Sequence, residues 1–113
     1  MEFTYQGTKK DIMVLSADGG LNHDTADQFV DELAAMIDAG LTKLVVNGEK
    51  LTYISSAGVG ALLRLHKRLR AQGGEVHLAN LHTPIIEVIE LLRLNRVFSI
   101  FPSVNEAVDA FGK

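Results

Sequence analysis

The sequence has no cysteine, no tryptophan and only two prolines among 113 residues. Without cysteine there is no disulfide, no zinc–thiolate site and no thiol nucleophile. No proline-rich or low-complexity stretch divides the chain, so nothing in it reads as a linker. Long apolar runs are also missing, none approaching the roughly 20 residues that cross a bilayer. The opening Met1-Glu2-Phe3-Thr4-Tyr5 lacks the basic and apolar regions of a secretion signal. Positive charge is not in excess, the formal net charge being −3, which argues against an electrostatic grip on nucleic acid. What is present is 47% hydrophobic and 22% charged residues, the balance of a folded globular domain. The expectation is one domain over residues 1–113, cytoplasmic and without membrane insertion.

Hydrophobic periodicity divides that domain into alternating elements. Phe3 to Gln6 and Asp11 to Ala17 read as extended, and Ile12-Met13-Val14-Leu15 suits a strand covered on both faces. Asp18-Gly19-Gly20 reads as the break after it. Ala26, Phe29, Val30, Leu33 and Ile37 then fall on one helical stripe. Asn22 or Asp24 can cap that helix and Gly40 can end it. Leu44-Val45-Val46 is the next buried strand, and Tyr53-Ile54 an apolar approach to a second helix. Ser55 or Ser56 caps the second helix. Val59, Leu62, Leu65, His66 and Leu69 line one side of it, and Gly73-Gly74 ends it.

Val76-His77-Leu78 follows as a strand. Thr83 and Pro84 read as an N-cap and a proline at the first helical position, opening a helix to about Leu92. Phe98 to Phe101 is extended, and Ser103-Val104-Asn105-Glu106 has capping-box spacing for a last helix to Phe111. The order β-β-α-β-α-β-α-β-α predicts an α/β fold with a mostly parallel mixed sheet, an antiparallel first strand and about four helices.

No catalytic constellation stands out. His23, His66, His77 and His82 show no metal-ligand spacing with a carboxylate cluster. Gly58-Val59-Gly60 begins like a dinucleotide fingerprint, but leucine stands where its third glycine belongs, and no Lys-Ser/Thr follows. Charge, by contrast, is segregated. Asn22 to Gly40 holds five acids and no lysine or arginine, whereas Lys50 to Gly74 holds five bases and no acid. Early acids and late bases complement their helix dipoles on solvated faces. The same layout also makes a bipolar surface able to orient a protein partner.

The most informative stretch is Tyr53-Ile54-Ser55-Ser56-Ala57-Gly58-Val59-Gly60, two serines at a helix start opened by small residues. Backbone N–H groups there are free to receive a side-chain oxygen or an anion. A phosphate on such a serine meets a favourable field and adds about −1.5 to −2 of charge at neutral pH. The plain alternative is that a serine caps the helix and the glycines allow close packing.

The chain as a whole resembles the STAS domain, the fold of anti-sigma factor antagonists and of sulfate-transporter tails. Gly19 to Asp27 is similar to the family's Gly-Glu-Leu-Asp entry to the first helix, and Leu44-Val45-Val46-Asn47 to its apolar strand ending in Asp. Tyr53 to Gly60 resembles the switch segment, Gly73 to Leu78 the next turn and strand, and Phe98 to Phe101 with Glu106-Ala107 the close. The resemblance implies a non-enzymatic regulator without cofactor or metal. It binds an anti-sigma factor that is a GHKL-type serine kinase, is phosphorylated on a serine, and is reset by a PP2C-type phosphatase. The phosphoacceptor falls on Ser56, with Ser55 as the alternate. The expected partner face comprises Leu21, Asn22, His23, Tyr53, Ser55, Ser56, Ala57 and Gly58, with Arg64, Lys67 and Arg68 of the second helix. A monomer or weak dimer is expected. Ser55, Asn22 and Asn47 stand where members often have Asp, and Gly20 replaces a Glu. Two other readings remain: a non-phosphorylated scaffold or subunit of a transporter or stressosome-type complex, and a small-ligand or nucleotide-binding domain using the helix start from Ser56 to Gly60.

Overall fold

The computed structural model describes residues 2–7 and 11–112. Six strands form one sheet there: β1 (Glu2–Gly7), β2 (Ile12–Leu21), β3 (Lys43–Asn47), β4 (Leu51–Ile54), β5 (Glu75–Ala79) and β6 (Ser99–Phe101). Their lateral order is β1-β2-β3-β5-β6, with β4 joined to the far end of β2. β1 is antiparallel to β2, pairing Thr4 with Ser16, and every other pairing is parallel. The expected architecture is therefore present, with one strand more than the apolar runs alone suggested.

That extra strand explains why Asp18-Gly19-Gly20 does not break β2. Gly19 takes φ 116°, and the register slips between Gly19 and Gly20. A positive φ costs glycine little, so β2 continues through Gly19 instead of turning, and the slip leaves Thr52 of β4 as the extra residue. It then pairs with β4 as far as Leu21 opposite Ile54. Tyr53-Ile54 is accordingly the end of a strand, not only an approach to a helix.

Among the described residues four α-helices accompany the sheet: α1 (His23–Asp38), α2 (Ser56–Ala71), α3 (Thr83–Leu91) and α4 (Val104–Asp109). The stripe Ala26, Phe29, Leu33 and Ile37 is buried, as is Val59, Ala61, Leu62, Leu65 and Leu69 on α2. These two rows and α3 pack on the sheet face that carries Leu15, Leu44, Val46 and Leu78. The intervening strand residues Ile12, Val14, Val45 and Ala79 point the other way, where Ala107 of α4 meets them.

Two helix ends differ from the sequence expectation. His82, not Thr83, is the N-cap of α3, and Thr83 and Pro84 lie in its first turn. Proline is tolerated there because the first helical N–H groups have no intrahelical partner. The His82 ring makes no capping bond, its Nε2 meeting the Glu49 carbonyl instead. The last helix is α-helical only to Asp109 and tightens into a 3-10 turn over Ala110–Gly112. Ser103 does cap it, its Oγ accepting from the Glu106 N–H at 3.2 Å.

Candidate functional site

The ends of β2 and β4 deliver the chain directly into α1 and α2, so two helix N-termini open at one end of the sheet. At α1, Asn22 Oδ1 accepts from the N–H groups of Asp24 (2.9 Å) and Thr25 (3.1 Å). Thr25 answers reciprocally, its Oγ1 accepting from the Asn22 N–H at 2.9 Å and donating to the Gly20 carbonyl at 3.0 Å. Asn22-x-x-Thr25 is a capping box with threonine in the place of Glu or Gln. That spacing was the signal for Thr25, which the sequence reading did not single out.

At α2 the two serines separate into distinct roles. Ser55 is the N-cap, and its Oγ accepts from the Gly58 N–H at 3.2 Å. Its own N–H donates to the Leu21 carbonyl at 2.9 Å, tying the helix start to the end of β2. Ser56 is the first helical residue and is exposed. Gly58 sits beneath it against β2, where a β-carbon would stand 2.5 Å from the Leu21 carbonyl oxygen. Tyr53, 48% exposed, lies over Gly20, leaving no room for a side chain at that position. Gly20, with no side chain, thus makes way for the tyrosine ring.

The expected partner face is only partly a surface. His23, Tyr53, Ser56, Arg64, Lys67 and Arg68 are exposed, whereas Asn22, Ser55 and Ala57 are half-buried. Leu21 is 3% exposed and Gly58 is buried, so within the expected face these two hold the groups around them. Ser56 and Tyr53 are the exposed parts of the segment between them. Asn47 lies on β3, outside the two helix starts, and its amide donates to Ser16 Oγ at 3.2 Å while its Oδ1 accepts from the Glu49 N–H.

The segregated charges meet each other. α1 and α2 lie side by side, with Asp27 3.7 Å from Arg64 and Asp38 3.3 Å from Arg68. Such exposed pairs contribute little stability, about 0–1 kcal/mol each. The first turn of α2 contains no acid, so its own helix start favours an added anion at Ser56. Among the described residues there is no group of three or more His, Asp or Glu able to hold a metal ion, and no helix long and apolar enough to cross a membrane.

Several known proteins are similar to this chain. The family described as the STAS domain matches residues 7–107. The chain is 34% identical over 100 residues to BtrV of Bordetella bronchiseptica, named as a candidate anti-sigma factor antagonist, covering 88% of this chain and 86% of that protein. A candidate anti-sigma factor antagonist from Thermotoga maritima has a TM-score of 0.94 at 21% identity, over 98% of this chain and 95% of that one. The Bacillus anti-sigma factor antagonist SpoIIAA is 24% identical over 97% of this chain, with TM-scores of 0.85 to its unphosphorylated form (96% of that chain) and 0.78 to its phosphorylated form (99%). At these identities the solved structures show a shared fold.

Proposed function

The chain belongs to the STAS domain family, and on that premise we propose that it is an anti-sigma factor antagonist switched by reversible phosphorylation of Ser56. The unphosphorylated chain binds an anti-sigma factor of the GHKL serine-kinase type in the cytoplasm and displaces its client. Phosphate on Ser56 ends that binding, and a PP2C-type phosphatase restores it. The protein works by docking rather than by catalysis. The observation that carries this reading is the division of labour at α2: Ser55 is engaged as the cap, while Ser56 is exposed at the first helical position. A phosphate there gains the helix N-terminus and spares the cap. With exposed Tyr53 three residues before it and exposed His23 at the neighbouring helix start, a change of about −1.5 to −2 in charge alters that end of the docking face directly.

The test is phosphorylation by the cognate kinase with ATP, read by intact mass. One phosphate should be added to the wild type and to Ser55→Ala, and none to Ser56→Ala. Ser56→Asp should weaken kinase binding by about tenfold or more, as like-charge or desolvated contacts do. An unmodified Ser56 together with unchanged binding of Ser56→Asp would sink the proposal. The neutral rim of Gly20, Asn22 and Ser55 favours a second reading, a constitutive STAS scaffold or subunit of a transporter or stressosome-type complex. A stable complex indifferent to every Ser56 substitution would select that reading.

A further inference from the structure

Three apolar side chains stand in solvent where α3 ends: Leu91 is 83% exposed, Leu92 51% and Val97 40%. Tyr53 is the one other exposed large hydrophobic residue among those described, so the cluster is not a general property of the surface. Charges flank it in a fixed order. Glu87 and Glu90 precede Leu91 on the exposed side of α3, at the spacings that share one helix face. Arg93 and Arg96 follow it, both exposed, in and before the 3-10 turn Leu94–Arg96. Among the described residues none of these four charges forms an ion pair. Arg93 also adopts φ 60° just past the helix cap, a position that usually falls to glycine.

We propose that this patch binds a second copy of the chain about a two-fold axis. In a two-fold contact the same surface meets itself in the reverse direction. The order along the chain, acid (Glu87, Glu90), apolar (Leu91, Leu92), base (Arg93, Arg96), then runs against its own reverse. Leu91 and Leu92 cover their counterparts at the centre, Glu87 and Glu90 of each copy face Arg93 and Arg96 of the other, and Val97 lies beyond the bases at the margin. A foreign partner would have to supply both signs of charge around its own apolar centre, whereas this chain already carries the matching set. The contact is small beside the roughly 800 Å² per partner of a standard interface, so the dimer is weak, with a Kd on the order of 0.1 mM. The proposal is independent of any event at Ser56.

Sedimentation of the full chain from about 10 μM to about 1 mM tests it. The wild type should shift from monomer to dimer across that range. Leu91→Asp should weaken the dimer by about tenfold or more, since it sets two buried like charges at the centre. The double variants E87R/E90R and R93E/R96E should each dimerise poorly alone, and an equimolar mixture should recover association. All these positions are exposed, so unchanged circular dichroism and unfolding midpoints establish that the variants are folded. A wild-type chain that stays monomeric at about 1 mM, or a dimer that Leu91→Asp leaves intact, overturns the proposal. So does a monomer that binds phosphatidylglycerol vesicles through Leu91, which would assign the patch to a membrane.

Discussion

The Ser55 N–H donates to the Leu21 carbonyl at 2.9 Å, and this bond places the first turn of α2 against the last residue of β2. The acceptor is backbone, and Gly58 packs on the same carbonyl. The exposure of Ser56 therefore follows from a contact that leaves its neighbours no freedom.

Gly58 and Gly60 should respond oppositely to alanine. At Gly58 the new β-carbon would stand 2.5 Å from the Leu21 carbonyl oxygen and 2.8 Å from the Ile54 side chain, and the backbone contact cannot yield cheaply. Gly58→Ala is expected to cost about 1–3 kcal/mol. At Gly60 a β-carbon meets nothing within 4 Å, so Gly60→Ala should gain about 0.5–1 kcal/mol from helix propensity. Urea unfolding of both variants checks the pair, and equal effects would contradict the close approach at Leu21.

Ser55 and Ser56 should separate stability from signalling. Ser55→Ala removes the oxygen that receives the Gly58 N–H and should cost about 1 kcal/mol. Ser56→Ala removes an exposed hydroxyl and should stay within about 0.5 kcal/mol of wild type. Denaturant midpoints decide this. A larger loss in Ser56→Ala than in Ser55→Ala would mean that the cap has been assigned to the wrong serine.

How much of this arrangement was legible in the sequence follows from the range over which each signal acts. The α1 stripe from Ala26 to Ile37 and the cap at Ser103 are local periodicities, and both appear as expected. The serine pair also announced a helix start, but only the fold distinguishes the cap Ser55 from the exposed Ser56. The glycines after Asp18 were misleading because residues that signal a turn also let a strand continue past an irregular register. The strand paired there, β4, lies some thirty positions further along. Burial of Leu21 has the same origin, since it comes from β4 and α2. Charge segregation was visible, but the Asp27–Arg64 and Asp38–Arg68 pairs required knowing that α1 and α2 are neighbours.

His66 should make stability depend on acidity. Partial burial, with the Arg70 guanidinium adding to it and Glu75 opposing, holds its imidazole below the ordinary 6.5. The folded pKa is thus below the unfolded one, so as pH falls the unfolded chain takes up the proton first. Stability is then lost from the unfolded value downward until the folded group also titrates. Urea midpoints at about pH 7.5 and about pH 5.5 should therefore differ less in His66→Gln than in wild type. An equal difference in both proteins would remove His66 as a source of the dependence.

The last expectation concerns how α4 is held on the sheet. His77, 3% exposed on β5, has its Nδ1 2.8 Å from the Ala107 carbonyl oxygen. A carbonyl only accepts, so Nδ1 carries the proton. The ring also stacks on Phe111 at 3.7 Å between centroids and 11° between planes. His77→Phe keeps an aromatic ring beside Phe111 but leaves the Ala107 carbonyl without its donor, and should cost about 1–3 kcal/mol. His77→Ala loses the stack as well and opens a void between β5 and α4, so its cost should be larger, about 3–5 kcal/mol as for other buried rings. Guanidinium unfolding gives the two costs, and amide exchange should show α4 losing protection before α1 and α2. If His77→Phe proves as stable as wild type, the hydrogen bond to Ala107 contributes nothing, and α4 is held by the apolar contacts of Ala107 with Ile12, Val14, Val45 and Ala79.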